Sequence, residues 1–322
     1  MLVSVGLVVV GLGLVMFFSE QLVKGSVGLA RAFGVSAFLV SVIFLGFDPE
    51  NLAVGAVGAF EGAGGIALGT ILGSAMVAVA LAFGIAGLVA PMRFEQVPRR
   101  VLAVPVLGVL LLGGLALDGQ LSRVDGAVLL VGYVAAVGYL VWLSRRGVNI
   151  EASGEVAKEM SKAEQLGKAK SGGILAISLV MVVGASELLV EGATDLIARF
   201  GLSQTLVGMT VVALAISVEE LARTVPAALR GRPEVSFGAV AGSVLAFFLF
   251  NAGVIALVSP LDVGAPTSQF YLPVAAGTVV LISVLLLNAR LSRWAGGLLV
   301  AVYIAFAVGG YVLYGATTPA AG

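Results

Sequence analysis

Apolar runs long enough to cross a lipid bilayer follow one another from Leu2 to Tyr314, and no other feature of the chain narrows its possible folds so far. A bilayer core takes about 20 apolar residues per helix. Backbone inside it finds no water to bond, so a crossing segment is either a helix or a strand of a closed barrel, and runs of this length are helices. On that ruler the 322 residues hold ten spans, at approximately 2–31, 35–60, 66–90, 101–117, 124–144, 173–199, 203–229, 235–259, 270–289 and 294–314. Only 11% of the residues are charged, against roughly 25% in a soluble domain, and the runs leave no stretch for a separate soluble core. The expected fold is all-α: a polytopic membrane protein of ten transmembrane helices. The opening MLVSVGLVVVGLGLVMFF lacks a basic n-region and reads as the first spanning helix rather than a cleaved signal.

Lys and Arg set the orientation. Alternate connections carry Arg31; Arg93, Arg99 and Arg100; Arg145, Arg146, Lys158, Lys162, Lys168 and Lys170; Arg230 and Arg232; Arg290 and Arg293. The others carry only Arg123 and Arg199. The richer set is expected in the cytoplasm of a multi-pass cell-membrane protein, which puts both termini outside. The polar stretch 144–172 then becomes a cytoplasmic linker between five spans in 1–143 and five in 173–322. A solvated linker is its plainer reading and a regulatory element the other.

Several function classes fall away. Formal charge is zero and no basic, aromatic-interleaved patch suits nucleic acid. Without Cys or His there are no disulfides, thiolate sites, zinc ligands or imidazole proton shuttles. A bound metal must be held by oxygen, which selects hard cations such as Ca2+ or Na+. No nucleophile–base set suggests an enzyme. The expected partners are the lipid bilayer and small inorganic cations, with no cofactor beyond the transported ions and the oligomeric state left open.

The two halves repeat. Ser19-Glu20-Gln21-Leu22-Val23-Lys24-Gly25 resembles Ser186-Glu187-Leu188-Leu189-Val190-Glu191-Gly192, and Phe33–Ser36 resembles Phe200–Ser203, both offset by 167 (186 − 19, 200 − 33). Glu50-x-Leu52 matches Glu219-x-Leu221, and Gly69, Gly73 and Ser74 match Gly238, Gly242 and Ser243, now offset by 169 (219 − 50, 243 − 74). Two residues are therefore missing from the second span before Gly46. An odd number of spans per half makes the halves antiparallel, giving two inverted-topology repeats of five helices, a layout typical of secondary transporters with a midplane site.

The stretches Gly46–Ser74 and Ala215–Ser243 resemble the alpha repeats of the sodium/calcium exchanger family, within the cation/Ca2+ antiporter superfamily. Those repeats read approximately GTSxPE, then GNxxGSNxxN. The resemblance implies a divergent prokaryotic-type member with degenerate repeats, in which Thr, Glu, Ser and a late Asn or Asp would supply cation-binding oxygens. Aligned back from Ser74, Phe47 takes the Thr position, Asn51 the Glu and Ala78 the late Asn. In the second repeat these are Ile216, Glu220 and Phe247. Ser74, Ser243 and Glu220 are kept, with Asn51 as a neutral oxygen. If the missing residues fall after Pro49 instead, Glu50 takes the Glu position. The implied activity is Na+/Ca2+ exchange by alternating access, the long first and sixth spans sliding past spans two, three, seven and eight. H+-coupled exchange (Ca2+/H+ or Na+/H+) and a non-transporting protein of the same fold are the alternatives.

Intramembrane acids are functional candidates by default. The cation-binding set is Asp48, Glu50, Asn51, Ser74, Ser217, Glu219, Glu220 and Ser243. Of these Glu220, Asn51, Asp48, Ser74 and Ser243 are the expected ligands of Ca2+ or Na+, with a packing or ion-pair network as the bland alternative. On a helix Asp48 shares a face with Asn51, and Ser217 with Glu220, while Glu50 and Glu219 look sideways. Pro49 is expected to free a backbone carbonyl near Leu45 or Gly46. Arg223, four residues beyond Glu219 and three beyond Glu220, is expected to pair with Glu219 or to snorkel towards the cytoplasm. Glu20, Glu187, Glu191 and Asp195 form a further acidic set that lines an ion path or pairs with Lys24.

Overall fold

The computed structural model describes residues 1–34, 48–94, 99–144 and 167–315. Phe47, Leu45, Gly46 and the rest of 35–47, and the linker between 145 and 166, lie outside the described residues. The helices are α1 (Leu2–Ala32), α2 (Pro49–Phe60), α3 (Gly64–Val89), α4 (Arg99–Leu115), α5 (Arg123–Ser144), α6 (Lys168–Phe200), α7 (Gln204–Ile216), α8 (Val218–Leu229), α9 (Pro233–Val258), α10 (Thr267–Asn288) and α11 (Arg293–Tyr314). Among the described residues eight of these are long and apolar enough to cross a membrane on their own, and α7 with α8 forms a bent pair that passes the same measure together. The all-α polytopic fold is present, and α2 is the described end of the second span.

Two short ribbons settle how the bent pair counts. Strand β1 (Met92–Arg93) pairs antiparallel with β4 (Arg290–Leu291), and β2 (Gln120–Leu121) with β3 (Leu261–Asp262). Paired strands lie on one side of the membrane, so an even number of crossings separates them. Between β1 and β4 stand α4, α5, α6, α9 and α10, and between β2 and β3 stand α5, α6 and α9. Counted over the described residues each set is odd, so α7 and α8 taken as one crossing put the paired strands on the same side. A re-entrant loop or two separate spans would leave the ribbons on opposite sides.

The elements recur with the spacing of the sequence repeat. Helices α2 and α8 are each 12 residues long and shifted by 169 at both ends (218 − 49, 229 − 60); α3 and α9 are each 26 residues and shifted likewise (233 − 64, 258 − 89). Each ribbon joins a strand of one half to a strand of the other.

Helices α3 and α9 form the centre, with 83% and 78% of their spanning windows buried. Gly69 of α3 and Gly208 of α7 cross so closely that a Cβ on either would strike the backbone of the other helix. Both begin a turn widened to i→i+5 hydrogen bonding, at Gly69–Gly73 and Gly208–Val212, a distortion common at functional sites. Around this centre α4, α5, α10 and α11 turn residues such as Leu107, Val131, Val280 and Ile304 outward. The 31 and 33 residues of α1 and α6 rise about 46–50 Å, well beyond a hydrocarbon core of about 30 Å. They lie against each other along a seam where Gly11 meets Leu189, Gly25 meets Leu175 and Gly192 meets Ser4 and Val8.

Candidate cation site

The two halves meet where helices begin. On one side Asp48 caps α2, its side chain accepting a hydrogen bond from the Asn51 backbone N–H at 3.5 Å. Pro49 occupies the first turn, where its missing N–H has no intrahelical partner to lose. It therefore opens α2, and the carbonyl expected to be freed near Leu45 or Gly46 lies outside the described residues. On the other side α7 ends at Ile216 and α8 starts at Val218, with a 52° bend between them. Ser217 sits at the break outside helical geometry (φ −106°, ψ 18°). Two helix N-termini thus point their partial positive charge at one region, and Glu50, Glu219 and Glu220 lie in those first turns.

The side chains there repeat as the sequence does. Ser74 Oγ donates to Asn51 Oδ1 at 2.5 Å, and Ser243 Oγ donates to Glu220 Oε1 at 2.9 Å; each pair spans 23 residues, and the two are related by the shift of 169 (220 − 51, 243 − 74). This decides the register. Asn51, and not Glu50, is the counterpart of Glu220. Across the halves Asn51 Nδ2 donates to Ser217 Oγ at 3.5 Å. Asp48, Glu50, Asn51, Ser74, Ser217, Glu220 and Ser243 are all buried, while the side chain of Glu219 is 27% exposed. The Glu50 carboxyl meets those of Asp48 and Glu219. The other carboxylate oxygen of Glu220, Oε2, is buried without a hydrogen-bond partner among the described residues.

Arg223 is the largest departure from expectation. It does not snorkel. Its side chain is 8% exposed, and Nη2 lies 2.8 Å from Glu220 Oε1 and 3.3 Å from Asp48 Oδ2. Nε stands 3.5 Å from Glu219 Oε1, so the expected contact with Glu219 is also made. The cause is geometric: helical side chains lean towards the N-terminus, so a long side chain three residues after Glu220 reaches back to the helix start, where the acids are. Among the described residues no group of three or more acidic side chains is arranged to hold a metal ion; a guanidinium sits where the carboxylates converge.

The positions that the alpha repeats fill with further oxygens are apolar core here. Ala78 and Phe247 are fully buried, and Ile216 is 1% exposed. The candidate oxygens that remain are those at the start of α2 and α8 and on the facing serines of α3 and α9. Thr224 and Asn251 are among the buried polar side chains that the sequence did not single out. Thr224, beside Arg223, has its hydroxyl without a hydrogen-bond partner among the described residues, and Asn251 of α9 has its whole amide so. A lone amide in the run AFFLFN is the signal that marks Asn251.

The outlying acids divide. Asp195 accepts from Ser4 Oγ and pairs with Arg199 at 2.7 Å, in place of Lys24. Glu187 and Glu191 of α6 face Glu61, in the turn between α2 and α3, whose pKa is raised by partial burial first and then by these like charges.

Comparison with known proteins follows the same lines. A family model described as sodium/calcium exchanger protein matches residues 3–142 and 170–312. The putative antiporter CaxA of Alkalimonas amylolytica is 28% identical over 318 residues, which cover 95% of this chain and 98% of that protein. The sodium/calcium exchanger MaX1 of Methanosarcina acetivorans is 25% identical, with 95% and 99% covered. A solved structure of the sodium-calcium exchanger NCX_Mj, soaked with Na+ and Sr2+, aligns with a TM-score of 0.59 at 26% identity over 94% of this chain and 97% of that one.

Proposed function

The chain belongs to the sodium/calcium exchanger family, and from that premise we propose that it exchanges Na+ for Ca2+ by alternating access at the meeting point of α2, α3, α8 and α9. Family membership makes it a membrane transporter of the cation/Ca2+ antiporter type rather than an enzyme. The ligands of the proposed site are Asp48, Asn51, Ser74, Glu220 and Ser243, with Ser217 at the seam. One observation carries this reading: the paired contacts Ser74–Asn51 and Ser243–Glu220 bring equivalent oxygens of both halves to one buried locus. Carboxylate, amide and hydroxyl oxygens suit hard cations. The glycine seam between α1 and α6 lets these helices move together past the core while the locus stays fixed.

In this reading 1–143 and 173–322 are the two inverted repeats, both termini lie outside and 144–172 is cytoplasmic. The chain has no Cys, so Ser153→Cys is a clean probe: a membrane-impermeant maleimide is expected to label it in everted vesicles and not in intact cells. Labelling in intact cells reverses the orientation.

A second reading has its own observation. The Glu50 carboxyl meets those of Asp48 and Glu219, and like groups in contact hold a proton or a cation between them, which suits H+-coupled exchange. Everted vesicles separate the two. Under the first, Ca2+ accumulates when a Na+ gradient is imposed; under the second, a pH gradient alone drives it. Folded protein that answers to neither gradient leaves a non-transporting protein with the exchanger fold.

A further inference from the structure

We propose that Arg223 is a tethered competitor for the transported cation, seated between Asp48 and Glu220 when the carrier is unloaded and displaced onto Glu219 when a cation enters. The proposal rests on the reading of Asp48 and Glu220 as cation ligands.

Three features of the contact support it. Nη2 bridges Glu220 Oε1 at 2.8 Å and Asp48 Oδ2 at 3.3 Å. It thereby joins a carboxylate of each half as a bound cation would, and Asp48 is 175 residues away in sequence. The seat is also incompletely satisfied, since among the described residues Glu220 Oε2 and Arg223 Nε are both buried without hydrogen-bond partners, Nε making only the 3.5 Å ion contact with Glu219. A guanidinium locked in permanently is best held by a bidentate pair that uses both carboxylate oxygens; this one leaves an oxygen open. Finally, a second seat lies within reach. Glu219 Oε1 is 3.5 Å from Nε, one helical turn before Arg223, on a side chain more exposed than those of Asp48 and Glu220. Rotation about the outer side-chain bonds moves the charge towards Glu219 without moving the helix. Vacated charge on Asp48 and Glu220 is then taken over by the incoming cation, so the buried carboxylates keep a counter-charge through the cycle. An uncompensated pair there would be costly.

The test is a double-mutant cycle on purified, detergent-solubilised protein titrated with Ca2+ and with Na+, reading apparent affinity and the cation-dependent shift in melting temperature. Arg223→Gln is expected to tighten binding of at least one cation about tenfold or more and to enlarge its melting shift, because competition is gone. Glu219→Gln keeps the Asp48–Arg223–Glu220 contact intact and is expected to weaken binding several-fold while the cation-free melting temperature holds. In the Arg223→Gln background Glu219→Gln is expected to have no further effect; additive effects belong to independent groups and count against the proposal. Binding that is unchanged or weaker in Arg223→Gln, with wild type still binding, overturns the tethered competitor and leaves the cation site standing. Unchanged binding in Glu219→Gln overturns it too, whether or not Arg223→Gln folds. No cation binding by wild type or variant overturns the proposal together with the reading it rests on.

Discussion

Vesicles carrying Glu220→Gln are expected to accumulate no more Ca2+ under an imposed Na+ gradient than vesicles without the protein. Gln keeps the size of Glu, and its carbonyl oxygen still accepts from Ser243 Oγ, now 2.9 Å from Oε1. What it loses is the charge, at a position fully buried and facing Arg223 at 2.8 Å. Removing one member of a buried charged pair costs about 2–5 kcal/mol, roughly 30- to several-thousand-fold in affinity. A cation at this locus loses the one full charge that the second repeat places beside a serine donor. The protein itself is expected to fold, because Arg223 keeps Asp48 at 3.3 Å and Glu219 at 3.5 Å. A melting curve in detergent checks that separately, and a melting temperature near that of wild type turns a null transport result into one about the ion. Wild-type accumulation by this variant would place the transported ion elsewhere, with the Glu50–Glu219 contact the next position to examine. Glu219→Gln, by contrast, is expected to keep gradient-driven uptake at reduced affinity.

The long-range layout was legible because it is written in run length. Spans, repeat and offset follow from apolar stretches and recurring short words, and the 12-residue helices α2 and α8 and the 26-residue helices α3 and α9 fall on the same shift of 169. The register of the first repeat was not legible, because a two-residue gap has no energetic mark of its own. It takes the Ser74–Asn51 hydrogen bond, closed across a turn and two helices, to rank Asn51 above Glu50. The place of Pro49 in its helix was not legible for a related reason: a proline inside an apolar run looks the same at a first turn as in an interior, and only the Asp48 cap distinguishes them. For Arg223 the pairing with Glu219 is met, and the snorkelling alternative failed on geometry. Snorkelling from residue 223 assumes that span seven is one continuous helix, whereas the chain bends by 52° at Ser217 and starts again. The charge that draws the guanidinium inward includes Asp48, which belongs to the other half of the chain and leaves no trace near residue 223.

The helix that leads into that bend makes a crossing whose first half was readable and whose second was not. Gly69 lies in a GxxxG spacing, a common sign of close helix approach, but nothing near Gly208 announces it as the partner. A Cβ at Gly208 would strike the carbonyl oxygen of Gly65 and come within 2.9 Å of Ile66 Cα; both are backbone, so no rotamer relieves the contact. Gly208→Ala must therefore push α7 from α3. Overpacking of this kind costs about 1–3 kcal/mol where side chains can yield, and more is expected here. Ser74 lies five residues beyond Gly69 on α3, and Ser217 nine beyond Gly208 at the end of α7. Parting the helices therefore also draws Ser74 and Ser217 apart on either side of Asn51, which bonds to both. Gly208→Ala is expected to melt well below wild type in detergent and to lose Na+-driven Ca2+ uptake in the same variant. Gly184→Ala is the control. Gly184 has nothing within 4 Å of its Cβ position among the described residues, and Ala in a helix interior is favoured over Gly by roughly 0.5–1 kcal/mol, so this variant is expected to melt at or slightly above wild type and to transport normally. A Gly208→Ala protein as stable as Gly184→Ala would mean that the crossing has slack, and that the position of Ser217 is set by the bend itself rather than by the contact of α7 with α3.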